Sequence, residues 1–370
     1  MRASGSLAEG GFWERRRVLV TGHTGFKGAW LALLLEALGA EVHGFSAPPP
    51  SDPSLYALAR VHERMSEHRG DIRSREELAG AIAQAKPDVV FHLAAQPLVR
   101  RSYEQPAETF EANVLGTLNV IAAAQRQGGV RALICVTSDK CYAPPERGAL
   151  QAGFAGHREE DPLGGEDPYS ASKAAAELIV RGYRAALRAQ GSPLRIASAR
   201  AGNVIGGGDF GSERLVPDVM RAALAGEPVA LRNPRAIRPW QHVLCPLTGY
   251  LLLARRLHEE ERFEGAWNFG PERAEALPVR ELVARIAALW PGGIEVGEDS
   301  ACGPAESQLL LLDSGRAKDA LGWRPPLSLT QGLQATVDWY RALQEGEDMR
   351  ERTLAQLQHV LSGRCRGPAR

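Results

Sequence analysis

Residues Val18–Gly28 read VLVTGHTGFKG, and the reading of the whole chain starts from them. Val18, Leu19 and Val20 form a short apolar run of the kind that fills a parallel strand buried on both faces. Gly22, Gly25 and Gly28 follow at three-residue spacing, and the apolar stretch 29–38 predicts a helix that stops at Gly39. A strand, a glycine turn and a helix N-terminus in succession present backbone N–H groups to the pyrophosphate of a dinucleotide. A Cβ at the glycines would block either the turn or the approach of the phosphates. Three spaced glycines alone also fit an ordinary strand–turn–helix. The apolar strand before them and the apolar helix after them favour a nicotinamide site built on Gly22, Thr24, Gly25, Phe26 and Gly28.

Working outward, residues 41–45 (EVHGF) predict a second strand, but its end offers Gly44, Phe45 and Ser46 where dinucleotide folds often place an acid for the ribose. These residues therefore leave NAD and NADP open. Gly70-Asp71-Ile72 precedes a polar helix at 75–84, a spacing that sets Asp71 near an adenine amino group; Asp71 as a cap of that helix fits equally well. Residues 88–93 (DVVFHL) predict a buried strand running into Leu93, Ala94, Ala95 and Gln96, small enough in part to admit a ligand. A long helix is expected over 106–125, with Asn113 and Gly116 on it, and a strand over 132–136 ending at Thr137-Ser138-Asp139-Lys140. Ligands of open α/β sheets sit at strand C-terminal ends, so that tetrad is well placed for chemistry.

Asp167-Pro168 opens a helix to about 189 that carries Tyr169 and Lys173 on one face, and 194–201 is the next strand. Beyond it come a glycine-rich loop (203–210), a helix (215–225), an arginine- and proline-rich loop (232–238), a helix (241–257), a short strand (266–269) and helices at 279–289, 333–343 and 351–361. The expected fold is α/β, a doubly wound, Rossmann-like parallel sheet with a smaller C-terminal lobe. Residues 12–202 are assigned to the dinucleotide domain, with 236–262 returning to it. Residues 203–345 form most of the smaller lobe, and 346–370 a last helix and tail. Residues 1–11 read as disordered, with Phe12 and Trp13 tucked against the first strand.

The chain has 370 residues, with 44 Lys plus Arg against 44 Asp plus Glu, so no net field draws nucleic acid or an anionic membrane. Arg15–Arg17 and residues 364–370 read as solvated ends. No apolar run approaches the roughly 20 residues of a membrane span, and the polar N-terminus lacks a signal-peptide core. Five scattered cysteines without a C-x-x-C pair speak against a disulfide framework or a zinc site. A cytoplasmic protein without a metal is expected.

Tyr169 and Lys173 are four residues apart, a spacing common by chance that gains meaning from the glycine turn upstream. A phenol titrates near 10 in water, and a neighbouring ammonium is expected to lower that value. Such a tyrosine can take a proton from a sugar hydroxyl as hydride leaves the same carbon, with Ser138 holding the hydroxyl and Lys173 the cofactor ribose.

Gly22-x-x-Gly25-x-x-Gly28 with Tyr169-x-x-x-Lys173 resembles the extended short-chain dehydrogenase/reductase family, the nucleotide-sugar modifiers. The segments VLVTGHTGFKGAWLALLLEALGAEVHGFS, HLAAQPLVRRSYEQPAETFEANVLGTLNVIAA, VTSDKCY, DPYSASKAAAE, RAGNVIGGGDF, RLVPDVMRA and AIRPWQHVL resemble its nucleotide-sugar 4,6-dehydratases, in order, over most of residues 12–260. dTDP- and GDP-sugar dehydratases are expected to carry Asp-Glu where this chain has Asp139-Lys140, which points to the CDP-sugar branch. The resemblance implies CDP-glucose as substrate and a tightly held NAD that takes hydride from C4 and returns it to C6. Tyr169 would take the 4-hydroxyl proton, Lys140 the C5 proton, and Asp139 would protonate the departing 6-hydroxyl. Asp139 must then be protonated near neutral pH, which burial favours, and Lys140 must be neutral, which desolvation or a neighbouring cation favours; a lysine that merely pairs with Asp139 is the plainer alternative. The cofactor set implied is Gly22, Thr24, Gly25, Phe26, Gly28, Asp71, Ile72, Leu93, Ala94, Ala95, Tyr169 and Lys173. The substrate set is Gln96, Asn203, Arg214, Arg232 and Arg238, guanidinium forks matching phosphate oxygens. Arg235 reads as a solvated loop charge, His242 as a packed histidine, and Trp240 as packing or as a rim residue. A homodimer or homotetramer pairing through helices 106–125 and 169–189 is implied as well. The rivals are another nucleotide-sugar enzyme of the fold, such as an epimerase, and a non-catalytic NAD-binding protein.

Overall fold

In the computed structural model, which describes residues 11–145, 154–231, 233–298 and 310–363, the apolar run after Arg17 is strand β1 (Arg17–Thr21), and every residue after the first is buried. β2 (Glu41–Ser46), β3 (Ser66–Arg69), β4 (Val89–His92), β5 (Ala132–Val136), β6 (Arg195–Ala201) and a seventh strand, Gly265–Phe269, join it in one sheet. The order is Gly265–Phe269, β6, β5, β4, β1, β2, β3, and every pairing in it is parallel.

Alternation along the strands sends side chains to two cores. Val18, Val20, Phe91 and Ile134 enter one, with α1 (Phe26–Ala37) and the helix Leu244–Glu259. Leu19, Val90, Leu133 and Ile196 enter the other, with the helices Arg75–Ala85, Gly116–Gln127 and Pro168–Ala189. Covering both faces is what a parallel sheet demands. The chain winds outward from β1 through β2 to β3, then crosses back to place β4 on the other side of β1. The crevice at that reversal is where such sheets take their ligands.

Four elements differ from expectation. β3, with sequence SEHR, lacks the apolar alternation that marks a strand because it is the sheet's edge and none of its residues is buried. The single helix expected over 106–125 is Pro106–Phe110, one π turn over Glu111–Leu115, and Gly116–Gln127. The helix expected from 241 begins at Leu244, because Gln241 and His242 first pair with Val204 and Ile205 as a two-residue strand. Trp13 is buried, with its ring against Phe91 of β4, the neighbour of the first strand; residues 1–10 lie outside the described part. The helix Leu329–Gln344 starts earlier than expected, at a capping box of Ser328 and Gln331. The last helix, Met349–Leu361, returns to α1 through an Arg350–Glu36 ion pair. Among the described residues no helix is long and apolar enough to cross a membrane.

Candidate active site

The three glycines of the turn have three different reasons. At Gly22 (φ +78°) a Cβ would lie 2.7 Å from Ala94 N, and at Gly28 it would lie 2.1 Å from Gly22 O. Both are close approaches of backbone to backbone. At Gly25 a Cβ would meet only Gly22 O, at 3.4 Å. Gly25 therefore fronts open space, directly at the N-terminus of α1, which has no side-chain cap and no acid in its first turn. A concave backbone with uncapped N–H groups and no opposing carboxylate suits a pyrophosphate. Thr24 hydrogen-bonds Ser46 Oγ at 2.7 Å and Ala47 O at 3.0 Å, tying the turn to the end of β2. Phe26 packs against the first core and Leu93 and Ala94 line the end of β4, with Ala94 N donating to Thr21 Oγ1. Ala95 follows at intermediate exposure. Asp71 is held in a 2.6 Å ion pair with Arg73, whose guanidinium keeps its carboxyl below the usual range. Ser74, not Asp71, caps the following helix. Ile72 is buried under Gly116, where a Cβ would collide with it.

At the C-terminal end of β5, Ser138 Oγ accepts from Lys140 N and opens a short 3₁₀ turn over Asp139–Cys141. Ser138 Oγ also donates to Asp139 Oδ1 at 3.0 Å, and Asp139 is 3 % exposed. Its Oδ2 is buried without a partner. Burial pushes the Asp139 carboxyl up, against the opposing pull of Lys140, Arg238 and Lys27. Lys140 itself is half-buried.

Asp167 caps the helix Pro168–Ala189 by accepting from Ser170 N. The helix sets Tyr169 and Lys173 one turn apart, both buried, with Lys173 Nζ 5.9 Å from the Tyr169 ring centroid. The Ser138 hydroxyl is near enough to the Tyr169 phenol to favour its ionised form. The expected lowering of the phenol by Lys173 is a correction. Burial pushes Tyr169 up to about 12 and Lys173 down to about 8, desolvation being the largest cause at both. Ser138 and Arg214 pull Tyr169 the other way.

The substrate candidates scatter more. Arg214 is paired with Asp209 at 3.1 Å, and its charge is felt by both Tyr169 and Lys27. Arg238 is buried, with Nη1 on Ile237 O, and its charge reaches Asp139. Asn203 is half-buried, its carbonyl accepting from Gln241 N. The Gln96 amide donates to Leu98 O and Thr109 Oγ1. Arg232 lies outside the described residues. Arg235 is exposed and Trp240 is buried with its indole N–H on Leu277 O. His242 is buried, accepts from Leu244 N and packs edge-on against Trp30.

Two further groups belong to this site. Lys27, in the first turn of α1, is half-buried, held down to about 8 by desolvation, and feels Arg214, Lys173 and Asp139. Its place next to Gly28 in the glycine turn was the available signal. Asn113 sits in the π turn, donates to Ser172 Oγ at 2.8 Å and Gln96 O at 3.1 Å, and accepts from Gln96 N. It joins the β4 end to the Tyr169 helix, and no local pattern announces a π turn.

The model of the NAD dependent epimerase/dehydratase family matches residues 18–270, more than half of the chain. The chain belongs to that family. Within the epimerase/dehydratase family, it is similar to the CDP-glucose 4,6-dehydratase of Salmonella typhimurium, with 45% identity over 91% of this chain and 94% of the relative. Among solved structures it is similar to the UDP-glucose 4-epimerase of Thermus thermophilus in complex with NAD (28% identity, TM-score 0.74, 88% of this chain and 99% of that one). It is also similar to a Streptomyces venezuelae dTDP-glucose 4,6-dehydratase with NAD bound (26% identity, TM-score 0.73, 90% and 99%). Like other members, the chain has the fold and the glycine turn of an NAD-dependent enzyme.

Proposed function

We propose that the chain is a CDP-glucose 4,6-dehydratase, an NAD-dependent hydro-lyase that converts CDP-glucose to CDP-4-keto-6-deoxyglucose and water. The observation that carries this reading is the junction at the end of β5. A buried carboxyl and a half-buried lysine, Asp139 and Lys140, adjoin the Ser138 hydroxyl, whose influence reaches the Tyr169 phenol. An epimerase, which only oxidises and reduces one carbon, needs no acid and base there.

The cofactor fits the residues present: the turn at Gly22, Gly25 and Gly28 and the N-terminus of α1 would hold its pyrophosphate. Thr24, Phe26, Asp71, Ile72, Leu93, Ala94 and Ala95 would line its adenosine and ribose, and Lys173 would hold the second ribose. When bound there, NAD supplies a reversible hydride acceptor. The chain's own groups handle the protons. Ser138 orients the sugar 4-hydroxyl and Tyr169 removes its proton, helped toward the phenolate by Ser138 and Arg214 against the effect of burial. Oxidation at C4 makes the C5 proton acidic, because the carbanion can delocalise as an enolate, and Lys140 takes it. Asp139, whose carboxyl burial pushes up, gives a proton to the 6-hydroxyl, which leaves as water. Gln96, Asn203, Arg214, Arg232 and Arg238 would hold the sugar, diphosphate and cytidine, with residues 203–345 forming most of the lobe that closes over residues 12–202 and the returning segment 236–262. The helices around the π turn and the Tyr169 helix expose Phe110, Leu115 and Leu178, a face suited to pairing in a homodimer or homotetramer in the cytoplasm.

The deciding experiment incubates the protein and NAD with CDP-glucose, dTDP-glucose and GDP-mannose in parallel and reads the near-ultraviolet absorbance of the 4-keto sugar in alkali. Signal from CDP-glucose alone is expected. Equal signal from another nucleotide sugar, or none from any, overturns the assignment.

A further inference from the structure

Behind Tyr169 and Lys173, a charged pair lies buried between the Tyr169 helix and the sheet. Glu177, 4 % exposed, and Arg200, 3 % exposed, are joined at 2.7 Å. Glu177 Oε2 also accepts from Ser198 Oγ at 2.7 Å, and Oε1 from Thr137 Oγ1 at 2.5 Å. Every one of these partners donates, so the arrangement suits a carboxylate and not the acid. Arg200 Nη1 donates in turn to Tyr142 OH at 2.7 Å and to Glu159 O at 3.1 Å, and its guanidinium lies 4.8 Å above the Tyr142 ring. A buried ion pair of this kind adds little net stability over well-packed apolar residues. Its consequence lies in where it puts charge and which backbones it joins.

Thr137 immediately precedes Ser138, and Glu177 stands one helical turn beyond Lys173 on the same face. One carboxylate thus ties the helix carrying Tyr169 and Lys173 to the strand end carrying Ser138 and Asp139. Lys173 shares its surroundings with Lys27 of α1, His92 of β4, Cys135 of β5, Cys141 just beyond it and Tyr169 of its own helix. Burial pushes both thiols up and His92 down to about 3, so these three are uncharged, whereas Lys27 repels the ammonium. Glu177 supplies the opposing negative charge.

We propose that Glu177, locked in place by Arg200, is a positioning residue for the Tyr169–Lys173 pair: it holds Lys173 as an ammonium in a buried site and fixes that helix turn against Ser138. This rests on the reading of Tyr169 and Lys173 as the groups that serve the sugar 4-hydroxyl and the cofactor ribose.

The test titrates Lys173 by ¹³Cε-lysine NMR, its resonance assigned by its loss in Lys173→Met, beside the pH dependence of turnover with CDP-glucose. The variants are Glu177→Gln, Glu177→Asp and the double variant Glu177→Gln/Arg200→Met. Glu177→Gln alone leaves Arg200 uncompensated and is expected to melt lower; the double variant removes both charges and is expected to melt near the parent. In the double variant the Lys173 midpoint is expected to fall by about 1 pH unit, and the alkaline limb of the rate profile to fall with it. Glu177→Asp, which keeps the charge, is expected to stay near the parent midpoint. A folded double variant with the parent's Lys173 midpoint overturns the proposal, as does an equal fall in Glu177→Asp and Glu177→Gln. If the parent turns over no nucleotide sugar, the functional reading fails, while the NMR midpoints still decide the role of Glu177.

Discussion

The Tyr169–Lys173 pair and the Asp139–Lys140 pair stand at the same end of the sheet and are built in opposite ways. The first is set one turn apart on a 22-residue helix, with both members buried. The second is two adjacent residues in a three-residue turn, with the acid buried and the lysine half in solvent. In the first pair burial drives both members toward neutrality, Tyr169 up to about 12 and Lys173 down to about 8, which opposes a phenolate–ammonium pair. In the second, the same desolvation pushes the Asp139 carboxyl up, the direction that a group which must protonate a leaving hydroxyl requires. One physical cause hinders one pair and serves the other. The hindered pair therefore depends on neighbours that restore charge: Ser138 and Arg214 at the phenol, Glu177 at the ammonium.

The contrast breaks first at Tyr169. Tyr169→Phe should lower turnover of CDP-glucose by about 10²–10⁴-fold, with the melting temperature nearly unchanged because only a hydroxyl is lost; a rate within tenfold of the parent would remove the phenol from the chemistry. In the second pair, Lys140→Ala assayed in D₂O should lose C5 proton exchange by roughly 10–100-fold. Exchange at the parent rate would make Lys140 a partner of Asp139 and nothing more. Both pairs require a ring held in the cradle, and the glycines separate holding from folding. Gly25→Ala is expected to melt like the parent and bind NAD about tenfold more weakly, roughly 1.4 kcal/mol. Gly28→Ala should lose about 3 kcal/mol or more of stability through the clash with Gly22 O. Equal melting of the two variants would contradict the geometry of the turn.

The smallest expected effect carries the sign that distinguishes the pairs. Burial raises the Asp139 carboxyl above its ordinary 3.8, so the folded state holds that proton more tightly than the unfolded chain does. Its contribution to stability is therefore lost as pH rises from 3.8 through the raised value, so that at pH 7 this buried carboxyl costs the fold stability. Asp139→Asn should raise the melting temperature at pH 7 by about 1–3 °C while slowing water elimination. Thermal melts at pH 7 check it, and a drop in melting temperature would show the carboxylate to be stabilised where it stands.

Most of the sheet was legible because its strands are buried on both faces, and burial writes itself as continuous apolar runs such as Val18–Val20 and Val89–Phe91. The glycine turn and the four-residue spacing of Tyr169 and Lys173 were legible for the same local reason. β3 was not, since an exposed edge strand of SEHR has no apolar face to show. The π turn at Asn113 was not either: its hydrogen bonds to Gln96 and Ser172 come from residues 17 and 59 positions away.

By itself the sequence determined what depends on neighbours along the chain: strand and helix periods, the turn that only glycine can make, and which side chains share a helix face. Tertiary structure decided the protonation preferences and the company of those side chains. Desolvation, and contacts such as Glu177 with Thr137 and Arg200, arise only when distant segments close around a site and exclude water from it.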